Sequence, residues 1–122
     1  MLENLRKNLS HLTKELSERI INSNSIGIIE KTKSGLDNLL INGIYFHSKH
    51  DPLVEAKRLL DGLKKSEEKK VYIFFGAGLG YVIQEALKLP NVQVIWMECY
   101  LEILKQALAI QDYSKDLDSG KL

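Results

Sequence analysis

Three glycines at alternate positions, Gly76, Gly78 and Gly80, follow the apolar run Val71-Tyr72-Ile73-Phe74-Phe75, and Glu98 lies 22 residues beyond the first of them. This spacing suits recognition of a polar or anionic ligand by backbone amides. Gly76 can take a sharp turn out of a strand. Gly78 lets a ligand approach the main chain with no Cβ in the way, and Gly80 lets a following helix pack close to that strand. The helix start adds unpaired N–H groups and a positive dipole end. In such a geometry an acid at the tip of the neighbouring strand commonly accepts hydrogen bonds from ribose hydroxyls, the role that falls to Glu98. The plainer explanation of the same residues is a tight strand–helix corner that holds nothing.

What the motif lacks narrows the ligand class. Tyr81 stands where a dinucleotide fingerprint has its third glycine, and the lysine and hydroxyl residue of a P-loop are missing. The G-x-G-x-G spacing is closer to the turn of methyltransferases that use S-adenosylmethionine. Those usually carry an acid just before the first glycine, where this chain has Phe75. The expected ligand is a nucleotide or nucleotide-sugar, with S-adenosylmethionine as the alternative.

A second constellation, His47-Ser48-Lys49-His50-Asp51-Pro52, packs two histidines, a hydroxyl, a lysine and an acid into six residues. At a strand-to-helix junction His47, Ser48 and Lys49 can point donors at a bound anion, with Lys49 supplying charge. His47 and His50 could in principle bind metal, but no third ligand sits at a familiar spacing, so no metal site is assigned. The alternative is local: Asp51 caps a helix while His47 and Ser48 satisfy nearby backbone.

The elements that must position these residues are legible as patterns. Leu2, Leu5, Leu9, Leu12, Leu16 and Ile20 form one apolar stripe and predict a single helix over residues 2–22, packed on its own domain or forming a dimer seam. Residues 26–32, 36–41 and 44–47 are short and rich in branched side chains. With Asn42-Gly43 as a hairpin turn they predict a small antiparallel meander. Asp51 and Pro52 open a helix as N-cap and first-turn proline, with Val54, Leu59, Leu60 and Leu63 on its buried side and Glu55 toward solvent. The charged run 64–70 is a solvated connector and the best internal boundary, dividing the chain into residues 1–65 and 66–122.

The continuous apolar runs 71–75 and 92–97 predict two strands buried on both faces, as in a parallel sheet. A helix between them ends before Pro90. Leu101, Leu104, Ala107 and Leu108 mark a last helix to about Ile110, and the tail from Gln111 reads as polar, with Leu117 its one apolar anchor before Leu122. The expected fold is therefore α/β: an N-terminal helix and small antiparallel β-meander, then an incomplete Rossmann-like β-α-β-α unit.

Composition bounds the function classes. At 122 residues, 44% hydrophobic and 27% charged, the chain matches a single globular domain. A net charge of +1 exerts no field toward nucleic acid or acidic lipid. Cys99 is the only cysteine, which excludes an internal disulfide. No apolar run approaches the roughly 20 residues a bilayer requires, and the charged N-terminus is not a signal peptide. The expected location is the cytoplasm.

Residues 47–52, the following helix with Glu55-Ala56, and the glycine turn 76–81 together resemble the N-terminal region of the motility-associated factor family, bacterial proteins linked to flagellin glycosylation. That family is related to a group named for the archaeal 6-hydroxymethylpterin diphosphokinase. The resemblance spans roughly residues 35–110. It implies a longer parent protein whose central domain, beyond Leu122, carries a nonulosonic-acid transferase activity, and it places no catalytic residue on this chain. Two parallel strands leave faces and edges uncovered, and a third strand is expected to begin at residues 118–122. The expectation is a fragment of a longer protein that also self-associates, through the first helix, the open sheet edge, or apolar surface from Phe74 and Trp96. Three functions follow: a nucleotide- or substrate-binding accessory domain that is not catalytic alone, a methyltransferase-like enzyme fragment, or a structural module.

Overall fold

The computed structural model describes residues 2–63 and 67–122. Lys64, Lys65 and Ser66 of the charged connector lie outside the described residues, as does Met1. The chain is α/β, with N-terminal helices, a three-strand antiparallel sheet, and then a parallel β-α-β pair with further helices.

The apolar stripe forms two helices, α1 (Leu2–Leu9) and α2 (Lys14–Ile21), rather than one. Thr13 starts α2 by accepting a hydrogen bond from the Leu16 N–H at 3.3 Å. The break is held from the far end of the chain. Asn8 is fully buried, and its Nδ2 donates to the carbonyls of Leu108 (2.8 Å) and Gln111 (2.7 Å). Its Oδ1 accepts from the Tyr113 N–H at 2.7 Å. One side-chain amide thus satisfies carbonyls that the end of α5 (Leu101–Ile110) cannot pair internally. Leu5, Leu9 and Ile20 are buried in the chain's own core, and Leu12 and Leu16 pack against it.

Strands β1 (Ile28–Lys31), β2 (Asp37–Ile41) and β3 (Ile44–Tyr45) form the meander, in the order β1-β2-β3. Asn42 and Gly43 both take positive φ, 51° and 78°, as the tight hairpin requires. Asp51 caps α3 (Pro52–Asp61), its Oδ1 accepting from the amides of Leu53 and Val54. The buried side of α3 differs from expectation. Pro52 and Ala56 are inside, whereas Val54, Leu59 and Leu63 are exposed. The reason is that α3 lies along α4 (Tyr81–Leu87), where small Ala56 allows close approach.

β4 (Lys70–Phe75) and β5 (Val92–Met97) pair in parallel, in register from Lys70 with Val92 to Phe75 with Met97. They are not buried on both faces. Phe74, Val92, Val94 and Trp96 face the core, but Val71, Ile73, Phe75, Ile95 and Met97 are exposed on the opposite face, Phe75 at 77%. The apolar surface left open is therefore that face and not Phe74 or Trp96.

The tail is not simply polar. Tyr113 is 1% exposed, and α6 (Ser114–Ser119) follows it. At the position expected to begin a third strand, the Lys121 carbonyl accepts from the Val94 N–H at 2.7 Å, beside β5. Among the described residues no helix is long and apolar enough to cross a membrane.

Candidate functional site

The glycine turn, the tip of β5 and the loop after β3 meet around an open cavity of about 400 Å³. Gly76, Gly78, Glu98 and His47 all line it, together with Glu55 and Tyr100. Two motifs that are 32 residues apart, at His47 and Leu79, are joined there by one bond, the Leu79 N–H donating to His47 Nε2 at 2.9 Å.

The meander acts as the bracket for His47. Asn38 of β2 is 1% exposed. Its Oδ1 accepts from the His47 N–H at 3.0 Å, and its Nδ2 donates to the His47 carbonyl at 2.8 Å. Tyr81, at the start of α4, donates its hydroxyl to the Asp37 carbonyl at 2.7 Å and meets the His47 ring edge-on, centroids 5.0 Å apart. Burial raises the Tyr81 hydroxyl to about 12, so it stays a donor. The residue that breaks the dinucleotide fingerprint is thus the strut between sheet and turn.

His47 is held neutral. Its side chain is only 10% exposed, and burial lowers its pKa from 6.5 to about 4. Because Nε2 accepts a bond, the ring hydrogen belongs on Nδ1, which lies 3.8 Å from Glu55 Oε1. Neither nitrogen is then free to serve as a base or a metal ligand. Among the described residues no three His, Cys, Asp or Glu side chains gather to hold a metal.

The three glycines have three different neighbours. A Cβ on Gly78 would lie 2.6 Å from His47 Nε2, so the space above it is filled by His47 rather than left for a ligand. A Cβ on Gly80 would lie 2.5 Å from the Tyr113 hydroxyl and 3.0 Å from the Trp96 ring, so this glycine serves close packing. At Gly76 the neighbour is Glu98, with Oε2 3.9 Å from the would-be Cβ. Glu98 Oε1 accepts from the Tyr100 N–H at 3.2 Å, which aims the carboxylate from the end of β5. Among the described residues, the amides of Ala77 and Gly78 donate to no protein acceptor. With only seven residues, α4 contributes little dipole, which leaves the turn amides and Glu98 as the polar groups of this corner.

Ser48 and Lys49 do not join this cavity. Ser48 Oγ accepts from the amides of His50 and Asp51 and so ties its own loop. Lys49 Nζ sits 4.3 Å from the centre of the Tyr45 ring. Ser48, His50 and Arg58 line a neighbouring groove that shares Glu55 and Leu59 with the first. Glu55, read from sequence as a solvent-facing residue, instead accepts from the Ser48 N–H at 3.2 Å and lines the cavity. Sequence reasoning also passed over Asn38 and Tyr113. A polar side chain within an apolar strand was the available signal for Asn38, and none pointed to Tyr113.

No family model, curated protein or solved structure matches this chain.

Proposed function

We propose that this chain is a nucleoside-binding accessory domain, with the ribose hydroxyls donating to Glu98 and the turn amides of Ala77 and Gly78 donating to the ligand's polar groups. The observation that carries the reading is the Glu98 carboxylate beside Gly76, at the mouth of a parallel strand pair, on a cavity of about 400 Å³. That volume lies within the range of small-molecule sites, and the carboxyl ends of parallel strands are where open α/β sheets bind ligands. The base would lie toward the apolar wall of Leu59 and Ile103.

The domain is proposed to bind and not to catalyse alone, since the lone pair of His47 Nε2 is already engaged by Leu79. The resemblance of residues 47–52 and 76–81 to the motility-associated factors supports a place within a bacterial protein-glycosylation factor. The G-x-G-x-G spacing supports S-adenosylmethionine as the alternative.

Thermal unfolding with a panel of the common nucleosides, CMP, CMP-sugars and S-adenosylmethionine tests the reading. A ligand at 100 times its dissociation constant adds about 2.7 kcal/mol. Glu98→Gln should weaken binding at least about tenfold, as expected for loss of a charged acceptor. Silence across the whole panel would refute the proposal and leave a structural module.

A further inference from the structure

The charge around the cavity points to the class of ligand, an inference that rests on the nucleoside reading above. Two carboxylates, Glu55 and Glu98, line the cavity, and among the described residues no lysine or arginine does. Arg58 lines the neighbouring groove, which shares Glu55 and Leu59 with this cavity, and does not line the cavity itself. Lys49, the cation of the adjoining loop, is engaged over the Tyr45 ring. The remaining polar groups are a histidine whose Nε2 is an acceptor and tyrosine hydroxyls and turn amides, which bear partial charges only.

We propose that the site takes a nucleoside with a cationic group on its 5′ side, such as an ammonium or sulfonium, and rejects 5′-phosphates. A phosphate would enter a cavity lined by two carboxylates and, among the described residues, by no lysine or arginine, whereas an ammonium or sulfonium is attracted by both carboxylates. The two turn amides favour oxygen atoms of the ligand, but partial dipoles do not outweigh two full carboxylate charges. Phe46, Tyr81 and Tyr100 also line the cavity, and aromatic faces attract cations and not phosphate. Glu55 already holds the Ser48 N–H through Oε1, so it is fixed in place as a negative wall of the site.

The test is a calorimetric comparison, on the full chain, of the 5′-hydroxy, 5′-amino-5′-deoxy and 5′-phosphate forms of the four common ribonucleosides. For the base that binds best, the amino form should bind about tenfold tighter than the hydroxy form and the phosphate about tenfold weaker. The discrimination should shrink in 1 M salt, where the Debye length is about 3 Å. It should also shrink in Glu55→Gln, which retains an acceptor for Ser48. Equal or tighter binding of the phosphate form, with the plain nucleoside still bound, overturns the cationic preference and leaves the nucleoside site standing. Failure of every form, including the plain nucleosides, overturns both.

Discussion

Protonating His47 should destabilise the fold, because the folded chain accepts that proton far more reluctantly than the unfolded one. In the unfolded chain the imidazole titrates near 6.5, and in the folded chain burial lowers this to about 4. That difference corresponds to about 3 kcal/mol. The sign follows from proton counts: between pH 6.5 and 4 the unfolded state binds more protons, so stability falls as pH falls. The contribution is complete above about 6.5 and gone below about 4. Structurally the proton would displace the Leu79 N–H from Nε2 and loosen the glycine turn.

Urea denaturation of the wild type and of His47→Gln across this range isolates the effect. The glutamine amide oxygen can reach roughly the position of Nε2 and accept from Leu79, but it does not titrate. Carboxylate protonation acts on both proteins and cancels in the difference. The wild type should lose about 3 kcal/mol relative to the variant between neutral pH and pH 4. Parallel curves, or a histidine NMR titration placing His47 near 6.5, would refute the burial argument.

Three further outcomes are expected. Asn8→Ala should destabilise by about 3–5 kcal/mol in chemical denaturation, since it strips partners from the Leu108 and Gln111 carbonyls and the Tyr113 amide. Gly80→Ala should cost about 3 kcal/mol through positive φ and collision with Tyr113 and Trp96. Gly76→Ala, where only Glu98 is near, should cost about 1 kcal/mol and leave the fold intact, so a circular dichroism melt showing equal losses for the two would contradict the packing described. Val71, Ile73, Phe75, Ile95 and Met97 leave five large apolar side chains exposed on one face of the β4–β5 pair, and contiguous apolar surface of this kind marks interaction sites. We expect a second copy to cover it, so sedimentation at micromolar concentration should show dimers that Ile73→Glu dissociates, and a monomeric wild type would end that expectation.

The local signals in this chain reported faithfully wherever a short-range rule was sufficient. Asn42-Gly43 makes its turn through positive φ at both residues, Asp51 caps α3, and the run 71–75 forms a strand paired in parallel with 92–97. Each depends on the conformational preference of a few adjacent residues. The stripe from Leu2 to Ile20 marked the right face but not the break at residues 10–13, because a period of 3.6 is compatible with one helix or with two that share a neighbour. Asn8 decides between them by reaching carbonyls 100 or more positions away.

The site divides in the same manner. A glycine turn after a strand, and an acid at the end of the next one, were legible from the residues alone, since both are features of contiguous backbone. Packing in three dimensions settled that His47, and not a ligand, covers Gly78, that Glu55 turns toward the cavity, and that Lys49 stays outside it. Those outcomes depend on where the meander docks. Docking is set by His47, which accepts from the Leu79 N–H, and by Tyr81, which donates to the Asp37 carbonyl. Spacing along a chain carries no record of such contacts, because a hydrogen bond selects by distance in space.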